Sequence, residues 1–210
     1  GVVRITGSAD DIALTRANCI IASSKNYITV RGFLMDLTSG SIVSLTTTTY
    51  VTIDKCSFML ANANQAVNCT GASQSNLTVT NCVFQMHMGG CGVSMTHSAN
   101  VDNAGHAVSN CIFMGGSFMV QSSRVGGVIV NNCLACFGTY GFMGGWPSAL
   151  TAGQTMTVNN CILYAISQVG FFAVTLGDLV ENYNTLFNVN TARTNVTAGA
   201  NSVTRPPLFD

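Results

Sequence analysis

The sequence predicts an all-β chain wound as a right-handed single-stranded parallel β-helix, a solenoid of about eight coils with three short strands each. Three observations predict it. An eight-residue phrase recurs, Leu77-Thr78-Val79-Thr80-Asn81-Cys82-Val83-Phe84 in its clearest form. It returns about every 25 residues, a period that suits one coil of a β-solenoid better than most helical repeats. Apolar residues also stand on both sides of the polar-Asn step in a phase that one continuous strand cannot give.

Taking the cysteine position as anchor, the coils centre on Ser8, Phe33, Cys56, Cys82, Cys111, Cys133, Cys161 and Thr185. Five residues earlier stand Val3, Ile28, Val51, Leu77, His106, Val128, Met156 and Val180. Three earlier stand Ile5, Val30, Ile53, Val79, Val108, Val130, Val158 and the exception Asn182. β-branched residues dominate both columns, as strands prefer. Two residues after the anchor come Met35, Phe58, Phe84, Phe113, Ala135, Leu163 and Phe187, again apolar, with Asp10 the exception.

The step between the two runs must therefore be a bend that resets the phase. Asn accepts the left-handed conformation such a bend needs, and Gly7 and Gly32 hold the place in the first coils. Stacking would pile Asn81, Asn110, Asn132, Asn160 and Asn184 in a line, their amides bonding from coil to coil. Beside them Cys56, Cys82, Cys111, Cys133 and Cys161 would form an inward column. In-register neighbours about 4.8 Å apart match disulfide geometry poorly, so buried thiols packing as small apolar residues are expected. The third strand of each coil is expected at Cys19–Ile21, Ile42–Leu45, Ala66–Cys69, Val93–Met95, Phe118–Val120, Gly141–Met143 and Phe171–Val174. Parallel crossovers are right-handed almost without exception, which sets the predicted hand.

The phrases NYITVRGF, LTVTNCVF and MTVNNCIL resemble the right-handed parallel β-helix repeats of the pectate lyase-like superfamily. The resemblance covers residues 1–187, leaving 188–210 as a C-terminal loop or extension that continues into, or packs beside, further chain. It implies the fold strongly and the activity weakly, since that superfamily holds lyases, hydrolases, phage spikes, adhesins and inert scaffolds. The Gly at position 1 and the terminal PLF phrase lead us to expect a piece of a larger extracellular or cell-surface protein.

Charged residues make up 8% of the chain, with eight basic and eight acidic side chains and no net charge. No basic cluster exists to displace counterions from phosphates, which argues against nucleic acid as a partner. No apolar run reaches the roughly 18 residues of a membrane span. So few charges on a body with much surface leave two alternatives: a Ser, Thr, Asn and Gly coat, or burial against other subunits or copies of the chain.

Catalytic candidates are sparse. Hydrolysis of a polysaccharide needs two carboxylates flanking the bond, and lyase relatives use Ca²⁺ held by clustered acids. Here the acids are dispersed, so no catalytic residue is assigned. Asp10-Asp11 could ligate Ca²⁺ or simply be solvated, and no other cofactor is implied. Asp54 one coil after Arg31 reads as a surface ion pair. His87, Cys91 and His97 could approach a metal, though their spacing fits no zinc pattern. His106, in an inward column, reads as a core histidine bonded to the backbone rather than a catalyst. Cys133-Leu134-Ala135-Cys136 is a CxxC without a second CxxC or a flanking His. The one binding foothold is Trp146 near Tyr140: a platform for a sugar face, or with Pro147 a cover over Phe142.

Two functions from different classes therefore stand: a non-catalytic structural or adhesive subunit of a surface assembly, and a polysaccharide-binding or polysaccharide-degrading module.

Overall fold

The computed structural model describes residues 20–37, 40–60, 65–71, 74–87, 89–101, 104–145 and 155–205. The predicted first coil around Ser8, with Asp10, Asp11 and Cys19, lies outside the described residues, as does Trp146. Every described regular element is a strand, and each strand pairs in parallel with the equivalent strand one coil away.

Three sheets result. The first stacks Ile20–Ser23, Val43–Thr46, Gln65–Thr70, Cys91–Val101, Phe118–Val125, Tyr140–Gly144, Val169–Ala173 and Thr191–Thr194. The second stacks Asn26–Arg31, Thr49–Asp54, Ser75–Thr80, Ala107–Ser109, Val128–Asn131, Met156–Asn159 and Leu179–Asn182. The third stacks Leu34–Leu37, Ser57–Leu60, Val83–Met86, Ile112–Gly115, Leu134–Cys136, Ile162–Tyr164, Thr185–Phe187 and Val203–Arg205. The chain is thus a parallel β-solenoid with three strands per coil. Strands 191–194 and 203–205 carry two of the sheets past residue 187, into the segment expected to lie outside the coils.

The core follows from the columns. Val30, Ile53, Val79, Val108, Val130 and Val158 succeed one another in register and are buried. Phe58, Phe84 and Phe113 stack with centroids 4.7 and 4.6 Å apart, close to the inter-strand spacing. Each buried aromatic therefore finds its partner in the coil above or below.

The bend lies where the phase argument requires it. Gly32, Lys55, Asn81, Asn110, Asn132, Asn160 and Tyr183 all have left-handed φ between 53° and 75°. The bend reverses which side-chain parity faces inward, so Val79 before it and Cys82 and Phe84 after it are all buried. The stacking is carried by the backbone. Asn81 N–H donates to Ser109 O (3.2 Å), and Asn110 N–H to Asn131 O (3.1 Å). The corner amides themselves point to solvent. Asn81 Nδ2 reaches back to Asp54 Oδ1 (2.8 Å), and among the described residues no side-chain bond joins one corner asparagine to the next.

The last full coil corrects the sequence reading by one residue. Ile162 pairs with Thr185 and Met156 with Leu179, so the anchor there is Asn184, not Thr185. The inward residues are Leu179, Glu181 and Leu186, in place of Val180, Asn182 and Phe187. Asn184 is therefore no member of the corner line. Tyr183 takes the left-handed position, and Asn184 occupies the cysteine column, fully buried.

Candidate functional site

The five anchor cysteines are buried and free, and each thiol donates back to the carbonyl two residues before it. Cys82 Sγ lies 3.1 Å from Thr80 O, and Cys111 Sγ lies 3.2 Å from Ser109 O. The thiol next in the column and burial together push Cys82 and Cys111 up to about 12, far from the thiolate that reacts. Cys133 and Cys136 of the CxxC stand on opposite faces of one strand. Cys133 is inward, while Cys136 lies on the outer face and bonds Phe113 O at 3.4 Å. They cannot act as one dithiol or share an ion.

The described carboxylates are engaged singly. Asp54 pairs with Arg31 of the preceding coil (2.9 Å) at the surface. Asp178 accepts from Thr175 N–H (3.0 Å) in its own turn. Glu181 is buried and saturated. Its Oε1 takes Arg193 Nε (2.8 Å) and Gly199 N–H (2.8 Å), and its Oε2 takes Asn184 Nδ2 (2.7 Å) and Ser202 Oγ. Burial alone would raise its pKa, but these donors together overcome that and hold it below the usual carboxylate value. A carboxylate so neutralised serves the fold.

Tyr140, half-buried on the outer side of the first sheet, stacks on Phe118 (5.2 Å between centroids) and meets Phe172 edge-on (6.4 Å). Its ring belongs to a ladder running along the solenoid. A second aromatic pair, missed from the sequence, is more open. Tyr27 and Tyr50 stack at 4.9 Å with an interplanar angle of 2°, exposed by 67% and 51%.

The outer face of the third sheet carries exposed apolar side chains, among them Leu34, Met59, Ile112 and Ile162. Its first column runs Leu34, Ser57, Val83, Ile112, Leu134, Ile162, Thr185 and Val203 in unbroken register. Its second runs Asp36, Met59, Gln85, Met114, Cys136, Tyr164, Phe187 and Arg205, with the two charged residues at its ends. The second sheet's outer face is mixed, with Thr29, Thr52, Thr78, Ala107, Ile129, Thr157 and Val180 along one column.

Inside the solenoid, three coil segments bring one thiol and two imidazoles together. Cys69, His97 and His106 each offer a ligand atom, all within 4.8 Å of one another, and all three side chains are buried. Cys69 lies inward on the first sheet, in register with Met95, and His97 follows Met95 by two residues. His106 closes the corner before the second sheet, and its Nδ1 accepts Leu77 N–H (3.1 Å). The two Nε2 atoms face each other at 3.4 Å. Gln74, also buried, accepts the Cys69 thiol through Oε1 and donates to Leu45 O (2.6 Å). Burial lowers His97 to about 4; burial and the neighbouring His97 lower His106 to about 3. Burial pushes Cys69 up to about 12.

The backbone bond foreseen for His106 is present, but the sequence grouped His97 with the wrong partners. Cys91 and His97 share a parity on one strand and stand six residues apart, about 20 Å in extended chain. His87 is exposed.

The chain matches no protein-family model, no curated protein and no solved structure. Among the described residues no helix is long and apolar enough to cross a membrane.

Proposed function

We propose that this chain is a non-catalytic structural rod of an extracellular or cell-surface assembly, docking through the outer face of its third sheet onto other subunits or copies of itself. The observation that carries it is the double column from Leu34 to Val203, charged only at its end positions Asp36 and Arg205, in which Leu34 is 71% and Ile162 45% exposed. Eight strands at about 4.8 Å give that face a length of about 34 Å. Isolated exposed aliphatics are ordinary, but Val83, Ile112, Leu134 and Ile162 in register on a rigid body mark an interaction surface. Among the described residues Asp54 pairs with Arg31 and Glu181 with Arg193, which accords with a non-catalytic role. Extracellular placement accords with the thiols, since the eight described cysteines are buried and so shielded from oxidants. The likeness to pectate lyase-like repeats supports the same setting.

The test is the oligomeric state of the full chain in solution, by light scattering and sedimentation, for wild type and for Ile112→Lys/Ile162→Lys. Wild-type self-association or capture on its assembly partner that the lysines abolish, with circular dichroism unchanged, is the expected result. A monomer whose behaviour the lysines leave untouched overturns the reading. A polysaccharide-binding or polysaccharide-degrading role draws on the Tyr27–Tyr50 pair, whose open edges suit a sugar ring. Turnover of polygalacturonate, or glycan binding lost in Tyr27→Ala/Tyr50→Ala, would favour it instead.

A further inference from the structure

We propose that Cys69, His97 and His106 form a buried site for a thiophilic divalent transition-metal ion of the Zn²⁺ class. One thiolate and two imidazoles are the donor set that such ions select. At the Zn–N length of about 2.0–2.1 Å, two nitrogens on a tetrahedral ion stand roughly 3.4 Å apart. The two Nε2 atoms already stand at 3.4 Å. The sulfur, within 4.8 Å of both nitrogens, needs to close to about 3.6 Å.

The hydrogen bonds around the cluster aim it. Leu77 N–H fixes the lone pair of His106 Nδ1, so the proton of that neutral ring sits on Nε2 and is given to His97 Nε2. His97 then carries its own proton on Nδ1, which is buried and has no hydrogen-bond partner among the described residues. Leaving such a group unpaired costs about 1–3 kcal/mol. The arrangement keeps the Nε2 lone pair of His97 turned into the cluster at the expense of its other nitrogen. In every other described coil the column of His106 holds Ile28, Val51, Leu77, Val128, Met156 or Leu179. Apolar packing would satisfy the fold here equally well.

Proton balance follows from these positions. The ion displaces the Cys69 thiol proton, and His106 ligates as a neutral imidazole, its Nε2 proton passing to Nδ1 as the Leu77 N–H bond opens, so M²⁺ enters and one proton leaves. Losing its thiol proton, Cys69 releases Gln74 Oε1, an oxygen able to take the fourth position. The site lies inside the coil, independent of the outer-face reading above.

The experiment loads the full chain with Zn²⁺, and with Co²⁺ as a coloured stand-in, against a competing chromogenic chelator. Expected are one ion per chain, one proton released per ion in weak buffer, and a thiolate-to-Co²⁺ charge-transfer band. Cys69→Ser should lose that band and Cys111→Ala should keep it. Should Cys69→Ser fail to fold, X-ray absorption of the wild-type Zn²⁺ complex still decides, with one sulfur and two imidazole nitrogens expected. No uptake against the chelator, a shell with two or more sulfurs or none, or uptake without release of a proton overturns the site.

Discussion

Asn184 stands where the five preceding coils place cysteine, and its side-chain carbonyl accepts the amide proton of Cys161 at 2.8 Å. One coil earlier the same service is done by sulfur, with Cys133 N–H pointing at Cys161 Sγ at 3.4 Å. The asparagine does more than a thiol can. Its Nδ2 also donates to Val158 O (2.9 Å) and to Glu181 Oε2, joining the thiol column to the charged pair of Glu181 and Arg193. The apolar interior thus ends in a polar plug.

Asn184→Ala strips Cys161 N–H, Val158 O and Glu181 of partners in a buried place. Each lost partner costs about 1–3 kcal/mol, so a loss of at least 3 kcal/mol is expected in urea unfolding. Adding Glu181→Val removes one of the stranded groups. The double variant should therefore lose less than the sum of the two single ones, and strict additivity would show that the bonds do not form one network.

Acid should weaken this end of the rod through Glu181. Its folded pKa lies below the usual 4.5, so the unfolded chain takes the proton first. The stability it supplies is complete above about pH 4.5 and drains away as the pH falls through the folded value. Glu181→Gln should be less stable than wild type at pH 7, with the gap closing towards pH 3 in thermal melts. A gap independent of pH would mean that ionisation plays no part.

The same residues show what the sequence could and could not disclose. The repeat was legible because Val79, Cys82 and Phe84 obey a geometry that recurs in each coil, and a phase reset has few physical causes. The last coil was misread because Asn184 looked like a corner asparagine, while the true corner holds Tyr183, at φ 56°. The seven-residue interval from Leu179 to Leu186, the same as from Met156 to Leu163, was the available signal. The Cys69, His97 and His106 cluster had none. Its members come from three segments joined by corners of unequal length, and only the inter-coil register of Cys69 with Met95 sets them together. Proximity along the chain, which suggested Cys91, is a poor guide where one strand separates its own residues by about 20 Å.

The corner makes a backbone prediction. Asn110 and Asn132 hold left-handed φ of 53° and 54° with side chains in solvent, so conformation is what their side chains chiefly supply. Asn132→Gly should change stability by less than about 1 kcal/mol, whereas Asn132→Val should lose about 1–2 kcal/mol through Cβ crowding. Equal losses in denaturant titrations would show that the amide matters more than the dihedral.

Thiol chemistry reports on the whole interior at once. The eight described cysteines are buried, and five of them donate along the inner wall. A small aromatic disulfide reagent should therefore label these eight only as fast as the coils open, with a rate that tracks stability across urea concentrations. Cys111→Val tests the packing behind that protection. It forces added volume between Cys82 and Cys133 in a full column, should cost about 1–3 kcal/mol, and should speed labelling of its neighbours in proportion. Rapid labelling of Cys82 in the native wild type, detected by mass spectrometry, would place the thiols on the outside of the wall and undo the inward reading of the column.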